Sequence, residues 1–332
     1  MSQININKNE KGIKQKKSIN RYAKFFLIPG WRDPEFTKIE YKISKTKSKR
    51  KLFRRVLNPL TIIGIFMILF IIFCAVFSPW LTPYPLRLIT NPYLSMEEGF
   101  PEFAPPSPEH PLGTTRYGYD LLARLIWGSR TSLTFGILSI SIGILGGLII
   151  GTVSGYFGGR VDSIIMRIAD IVMVFPVIII VIIISQLATQ DIFFLLLIFG
   201  SLSIPGLARF MRSVVLQVKQ ELYVSAAITG GAKKLKVMFI HIFPNAISPL
   251  FIVFFGGVGG AILGFSSIAF LGFADQTLPD WGTDINIARL WNELNIAFWP
   301  GLFILIAVLG FMLVGDGLRD ALDPRLYKKI KQ

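Results

Sequence analysis

The chain has 332 residues, 52% of them hydrophobic and only 17% charged, with a mean hydropathy of +0.57. A soluble domain is nearer a quarter charged, and here the apolar residues come in blocks, so the composition reads as an integral membrane protein. The net charge is +15, and residues 1–55 hold seventeen Lys or Arg against four acids directly before an apolar stretch. That arrangement favours a juxtamembrane tail on anionic lipid over a nucleic-acid-binding arm.

Residues 1–55 are thus a basic N-terminal tail. Within it, residues 22–36 read either as a surface-lying amphipathic element or as disordered chain. Residues 56–82 hold the first transmembrane helix, with an uncharged core at 60–81. A bilayer core of about 30 Å needs about 20 helical residues. This run starts too deep and is too long for a cleavable signal, so it is expected to remain as a signal anchor. Residues 83–130 form a loop whose many prolines exclude long helices. Near its end Tyr117, Leu121, Leu122, Leu125, Ile126 and Trp127 predict a separate interfacial helix over 117–128. Residues 131–314 hold five further spans: 131–153, 171–187, one starting at 192 and interrupted at Pro205–Gly206, 247–271 and 296–314. Pro176 is expected to kink the third, and 188–191 to close a tight hairpin. Residues 315–332 are a polar, basic tail.

Six spans place the two tails and residues 209–245 on one side. Those residues carry Arg209, Arg212, Lys219, Lys233, Lys234 and Lys236 against Glu221 alone. The positive-inside rule makes that side cytoplasmic. The segments assigned to the other side are balanced or acidic.

The spans lack the ionisable residues that proton-coupled carriers bury in the membrane. Around Gly230, Gly231, Lys233 and Lys234 the sequence lacks the earlier glycine and the Ser/Thr of a phosphate-cradling loop. Cys74 sits in an apolar run and packs as a small hydrophobe. His110 and His241 lie far apart, and nothing suggests a metal site. Ser139, Ser141, Ser154 and Gln186 are expected to make helix-packing hydrogen bonds. The chain has no visible energy source, so active transport would need a partner that grips a cytoplasmic surface.

Residues 209–245 are the one long inside loop. They read as two short helices, 214–227 and 233–242, broken by Gly230 and Gly231 and ended by Pro244. Small residues at Ser225, Ala226 and Ala227 would let another protein approach closely. The run from Glu221 to Ala232, followed by His241, Pro244 and Asn245, resembles the EAA loop of ABC importer permeases. Ser225 stands where that pattern has Glu, and Ile228 where it has Arg. Further matches surround it: His110-Pro-Leu-Gly-Thr114 with Gly118, Asp120 and Arg124; Gly155 to Asp162 with Met166-Arg167; Asp280-Trp-Gly282; and Gly315 to Pro324. Taken in order, they resemble the dipeptide/oligopeptide branch over about residues 53–325.

The resemblance implies an all-α polytopic protein with six transmembrane helices and the type I ABC importer permease fold. It implies translocation of di- or oligopeptides, with nickel or oligosaccharides as further solutes of such relatives. Implied partners are a second homologous permease, two ABC ATPase subunits, an extracytoplasmic solute-binding protein and membrane lipid. No catalytic residue and no cofactor are expected in this chain, ATP and Mg being held by the ATPases. The docking residues implied are Tyr223, Ser225, Ala226, Ala227, Gly230, Gly231, Ala232, His241, Pro244 and Asn245. The location implied is the cytoplasmic membrane, multi-pass, with both termini cytoplasmic. The competing readings are a self-powered carrier or channel and a non-transporting scaffold.

Overall fold

The computed structural model describes residues 58–187 and 191–322, the side chains of Met96 and Leu322 apart. The basic tail, the hairpin tip and the last ten residues lie outside the described residues.

The described chain is helical. The helices are α1 (Pro59–Leu81), α2 (Pro92–Glu97), α3 (Leu121–Phe157), α4 (Gly159–Met173), α5 (Val177–Leu187), α6 (Ile192–Lys219) and α7 (Leu222–Thr229). A composite helix, α8, covers residues 234–246, followed by α9 (Ser248–Phe270), α10 (Trp281–Leu290) and α11 (Leu294–Leu322). Five of them, α1, α3, α6, α9 and α11, are long and apolar enough to cross a membrane. The pair α4–α5 makes a sixth crossing if taken as one span, bent by 73°. Pro176 lies in that break; it has no amide hydrogen to donate and disfavours helical geometry at Phe175.

Several helix bounds differ from those expected, each for a physical reason. α3 begins at Leu121, ten residues before the predicted span, and absorbs most of the predicted interfacial helix. Asp120 caps it by accepting from the Ala123 amide at 2.6 Å, and Leu121 and Leu125 are buried. Arg124 and Arg130 do not stop the span because both guanidinium groups are satisfied, Arg130 by the Ala75 carbonyl at 3.1 Å. The polar stretch 155–170 is mostly helix, in α4. α6 runs unbroken through Pro205 and continues to Lys219, so residues 209–219 belong to the span and not to the loop. Packing against α3 outweighs the local cost of the proline there. The polar segment 272–293 contains α10, whose Trp281 is fully buried and donates its indole N–H to the Leu125 carbonyl at 3.1 Å. α11 extends past the expected end at 314 to Leu322.

Glycines set the closest helix contacts. Gly143, Gly147, Gly151 and Gly155 recur every fourth residue along α3 and face α6. A Cβ on Gly147 would lie 2.6 Å from the Leu207 Cβ, and one on Gly151 would lie 2.4 Å from the Ala208 carbonyl oxygen. Small residues at this spacing let helix backbones meet, the usual basis of packing where lipid offers no hydrophobic drive. α1 crosses α11 in the same manner at Gly64 and Gly310. Two of the three serines depart from expectation: Ser139 and Ser141 donate to the Phe135 and Ile137 carbonyls one turn back in their own helix, both at 2.6 Å, whereas Ser154 bonds across to Asp162 of α4.

Gly151→Val should lower thermal stability in detergent by about 1–3 kcal/mol, the range for overpacking. Gly256→Ala, where an added Cβ meets nothing within 4 Å, should be neutral or stabilising. Equal melting temperatures for the two variants would show that the α3–α6 contact is not close-packed.

Candidate functional site

α3 has 37 residues and is about 55 Å long, so its two ends mark opposite ends of the bundle. Each end carries a distinct polar structure.

At the C-terminal end sits the loop between α6 and α9. After α6 the chain turns at Gln220 and Glu221 and forms α7. Val224 anchors α7 in a small apolar core with Tyr156, Met211, Val215, Val237 and Ile242. The larger apolar residues of α7 are exposed: Leu222 is 86% exposed, Ile228 50% and Tyr223 42%. α7 closes at Gly231, whose φ of +80° belongs to the left-handed region. Residues other than Asn or Asp would cost about 1–2 kcal/mol there. The Gly231 amide donates to the Ile228 carbonyl at 3.0 Å and the Ala232 amide to the Ala227 carbonyl at 3.1 Å, which seals the helix end. Gly230 has an ordinary φ of −71° and needs no glycine for its backbone.

α8 follows as Lys234–Lys236, a π turn at Val237–Ile242 and a last turn at Phe243–Ala246. Pro244 was expected to end this helix; it lies inside the final turn instead. It withholds the amide that an α-helix would send to the Ile240 carbonyl, and the ladder widens to π there. Asn245 donates its side-chain amide to the His241 carbonyl at 2.7 Å.

The ten predicted docking residues therefore divide. Tyr223, Ser225, Ala226, Gly230, Gly231, Pro244 and Asn245 are exposed. Ala227, Ala232 and His241 are half-buried, and Ala227 and Ala232 pack on the loop's own core. Sequence reasoning missed the clamp that ties the loop to the spans. The Tyr156 hydroxyl donates to the Lys234 carbonyl at 2.7 Å, and the Lys219 ammonium donates to the Tyr156 carbonyl at 2.9 Å. The loop's surface thus shows exposed apolar side chains on α7 and exposed Lys233, Lys234 and Lys236 on the segment that follows. Among the described residues no group of three or more His, Cys, Asp or Glu could hold a metal ion.

At the N-terminal end of α3, Arg124 is completely buried. Its Nε donates to Asp284 Oδ1 at 2.6 Å, and its other nitrogens reach the Ile89 and Leu278 carbonyls at 2.9 and 3.3 Å. One side chain thus fastens three segments far apart in sequence. Asp280 caps α10 through the Thr283 amide and also accepts from the Thr283 hydroxyl. His110 Nδ1 lies 3.0 Å from Asp120 Oδ2. Burial pushes the Asp280 carboxyl up to about 6. It also raises Asp284, against the pull of Arg124, and Asp120. The sequence motifs contain His110, Asp120, Arg124 and Asp280, but no pattern in one sequence pairs Arg124 with a residue 160 positions away.

Known proteins match this chain over most of its length. Residues 143–328 match the family described as binding-protein-dependent transport system inner membrane component. Residues 50–106 match the N-terminal TM domain of oligopeptide transport permease C. The chain belongs to the dipeptide/oligopeptide family of ABC importer permeases. A dipeptide transport system permease protein of Alkalihalophilus pseudofirmus is 34% identical over 272 residues, covering 81% of this chain and 87% of the relative. A di/tripeptide permease protein of Pseudomonas aeruginosa is 35% identical, covering 79% and 87%. A glutathione permease protein of Pectobacterium atrosepticum is 35% identical, covering 79% and 86%. The permease is a multi-pass membrane component with the type I importer fold, and the apolar helices are its transmembrane helices.

The raised carboxyls predict a pH dependence. A carboxyl whose folded value lies above the ordinary value of about 3.9 binds more protons when folded, so its contribution to stability increases as pH falls through the folded value. At about pH 7.5 the Asp280→Asn variant, which keeps the helix cap, should melt above the wild type. That advantage should shrink as pH falls through about 6 and vanish near 4. A wild-type-minus-variant difference independent of pH would contradict the assignment.

Proposed function

We propose that this permease translocates di- or oligopeptides, with α7 and its flanks as the seat of an ABC ATPase. The observation that carries the docking reading is the half-anchored state of α7. Val224 ties it to the spans while Leu222, Tyr223 and Ile228 stand in solvent. A helix with one face bound to its own core and apolar residues left on the other suits a protein partner. Ser225 and Ala226 add an approach with no bulk in the way.

On this reading both termini and the loop are cytoplasmic, as the excess of Lys and Arg supports. Two ATPase subunits hold ATP and Mg, and a second homologous permease completes the path. An extracytoplasmic binding protein delivers the solute. A peptide substrate is supported by the relatives, whose names specify dipeptides, di/tripeptides, oligopeptides and glutathione.

The reading is tested at Ala226, which is exposed and makes no core contact. In the co-expressed transporter, Ala226→Trp should leave membrane insertion unchanged, release the ATPase on purification and abolish uptake of a labelled dipeptide. A variant that keeps its ATPase and its uptake would refute docking at α7. Uptake by the isolated chain in liposomes without ATP would favour a self-powered carrier instead.

A further inference from the structure

In the α4–α5 arm, α5 meets the bundle through Val181 and Val177, which pack with Phe135, Leu195 and Phe265, whereas α4 is fixed mainly by charge. Among the fifteen residues of α4 only Ala169 is buried, and α5 buries only Val181 and Ser185. The arm leaves α3 at Gly158 and Gly159, with φ of +66° and +54°. A Cβ on either glycine would meet nothing within 4 Å, so this joint has a glycine backbone and no packing against it.

Polar contacts hold what apolar packing does not. Asp162, in the first turn of α4, accepts from Arg212 Nε at 2.5 Å and Nη2 at 2.6 Å. It also accepts from the Ser154 hydroxyl at 2.5 Å. One carboxylate thus joins α3, α4 and α6. Two turns along α4, Asp170 pairs with Arg209 of α6. The Asp162 and Arg212 side chains are only 18% and 33% exposed, so this pair is less screened than a free surface bridge. Its two-pronged geometry resists rotation as well as separation.

The same stretch of α3 and α6 carries the docking loop. Tyr156, which holds the Lys234 carbonyl, is two residues beyond Ser154, and Lys219 is two turns beyond Arg212. We propose that Asp162 is the positioning residue that makes the α4–α5 arm follow the docking loop when the ATPase moves it. This inference rests on the docking reading above. Without the bridge, the glycine joint would let α3 and α6 shift while the arm stayed behind.

The test uses the complete transporter in proteoliposomes. Asp162→Asn should retain its ATPase subunits yet transport roughly tenfold less peptide per ATP, the scale of a typical coupling free energy. Arg212→Lys keeps the charge but loses the fork and should fall in between. The exchange Asp162→Arg with Arg212→Asp should recover part of the yield. Asp162→Asn with wild-type yield would overturn the proposal. So would joint loss of yield and ATPase retention, which is the signature of a purely structural bridge.

A second measurement reads the motion itself. Spin labels at Ile164→Cys and Ser213→Cys, both exposed positions, report the α4–α6 separation. With Asp162 present, it should be the same in the nucleotide-free and vanadate-trapped states; with Asp162→Asn, it should broaden on trapping. An equal shift with and without Asp162 would overturn the inference. If the wild-type chain fails to retain its ATPase, the docking reading falls and this inference falls with it. A variant that docks and transports normally sinks the inference alone.

Discussion

Gly143, Gly147, Gly151 and Gly155 bring the backbones of α3 and α6 into contact, and the loop end of the molecule is built on that contact. Lipid is as apolar as a leucine side chain, so helices in a membrane gain little from hiding leucine from it. They gain from dispersion at close range, and only glycine lets two helices come that close. α3 then serves as a beam about 55 Å long. Its first turn holds Arg124 and the segments fastened to it, and its last turn holds Tyr156 and the loop.

The two ends are built by different physics. At Arg124 a full charge is buried, which is tolerable only because a carboxylate and two carbonyls surround it. Removing one partner there would strand a buried charge, so the end is rigid. Asp280 and Asp284, held near the same cation, have carboxyls raised by burial and give that end a sensitivity to pH. At the loop the contacts are single hydrogen bonds and a small apolar core. Local opening at this end is correspondingly easier.

Much of this was legible in the sequence, for definite reasons. Uncharged runs near 20 residues announce spans whatever their neighbours, and Gly231 announced a turn that only a positive φ provides. Helix bounds were less legible, because local rules were outvoted by tertiary contacts. Arg124 and Arg130 look like the end of a span until their partners are seen. Pro205 looks like a break until α3 is packed beside it. α10 looks like a polar loop because its polar residues, Asp280, Thr283, Asp284 and Asn286, are buried and paired rather than wetted. The links between Arg124 and Asp284, and between Asp162 and Arg212, span 160 and 50 residues. A single sequence holds no record of such pairs.

The loop also explains how the chain tolerates Ser225 and Ile228 where the related pattern has Glu and Arg. A charged pair at those positions would place opposite charges three residues apart on α7, within reach of each other and of a partner. Here α7 offers a hydroxyl and a half-exposed isoleucine, with Leu222 and Tyr223 beside them in sequence. Contacts made through such groups gain from apolar burial and shape rather than from Coulomb attraction, and salt screens them little. On the proposed docking, the charge that orients a partner would come from Lys233, Lys234 and Lys236, which are exposed just beyond α7. Long-range attraction and close contact would then be carried by different residues, an arrangement in which the lysines would set the rate of encounter and the apolar face its duration.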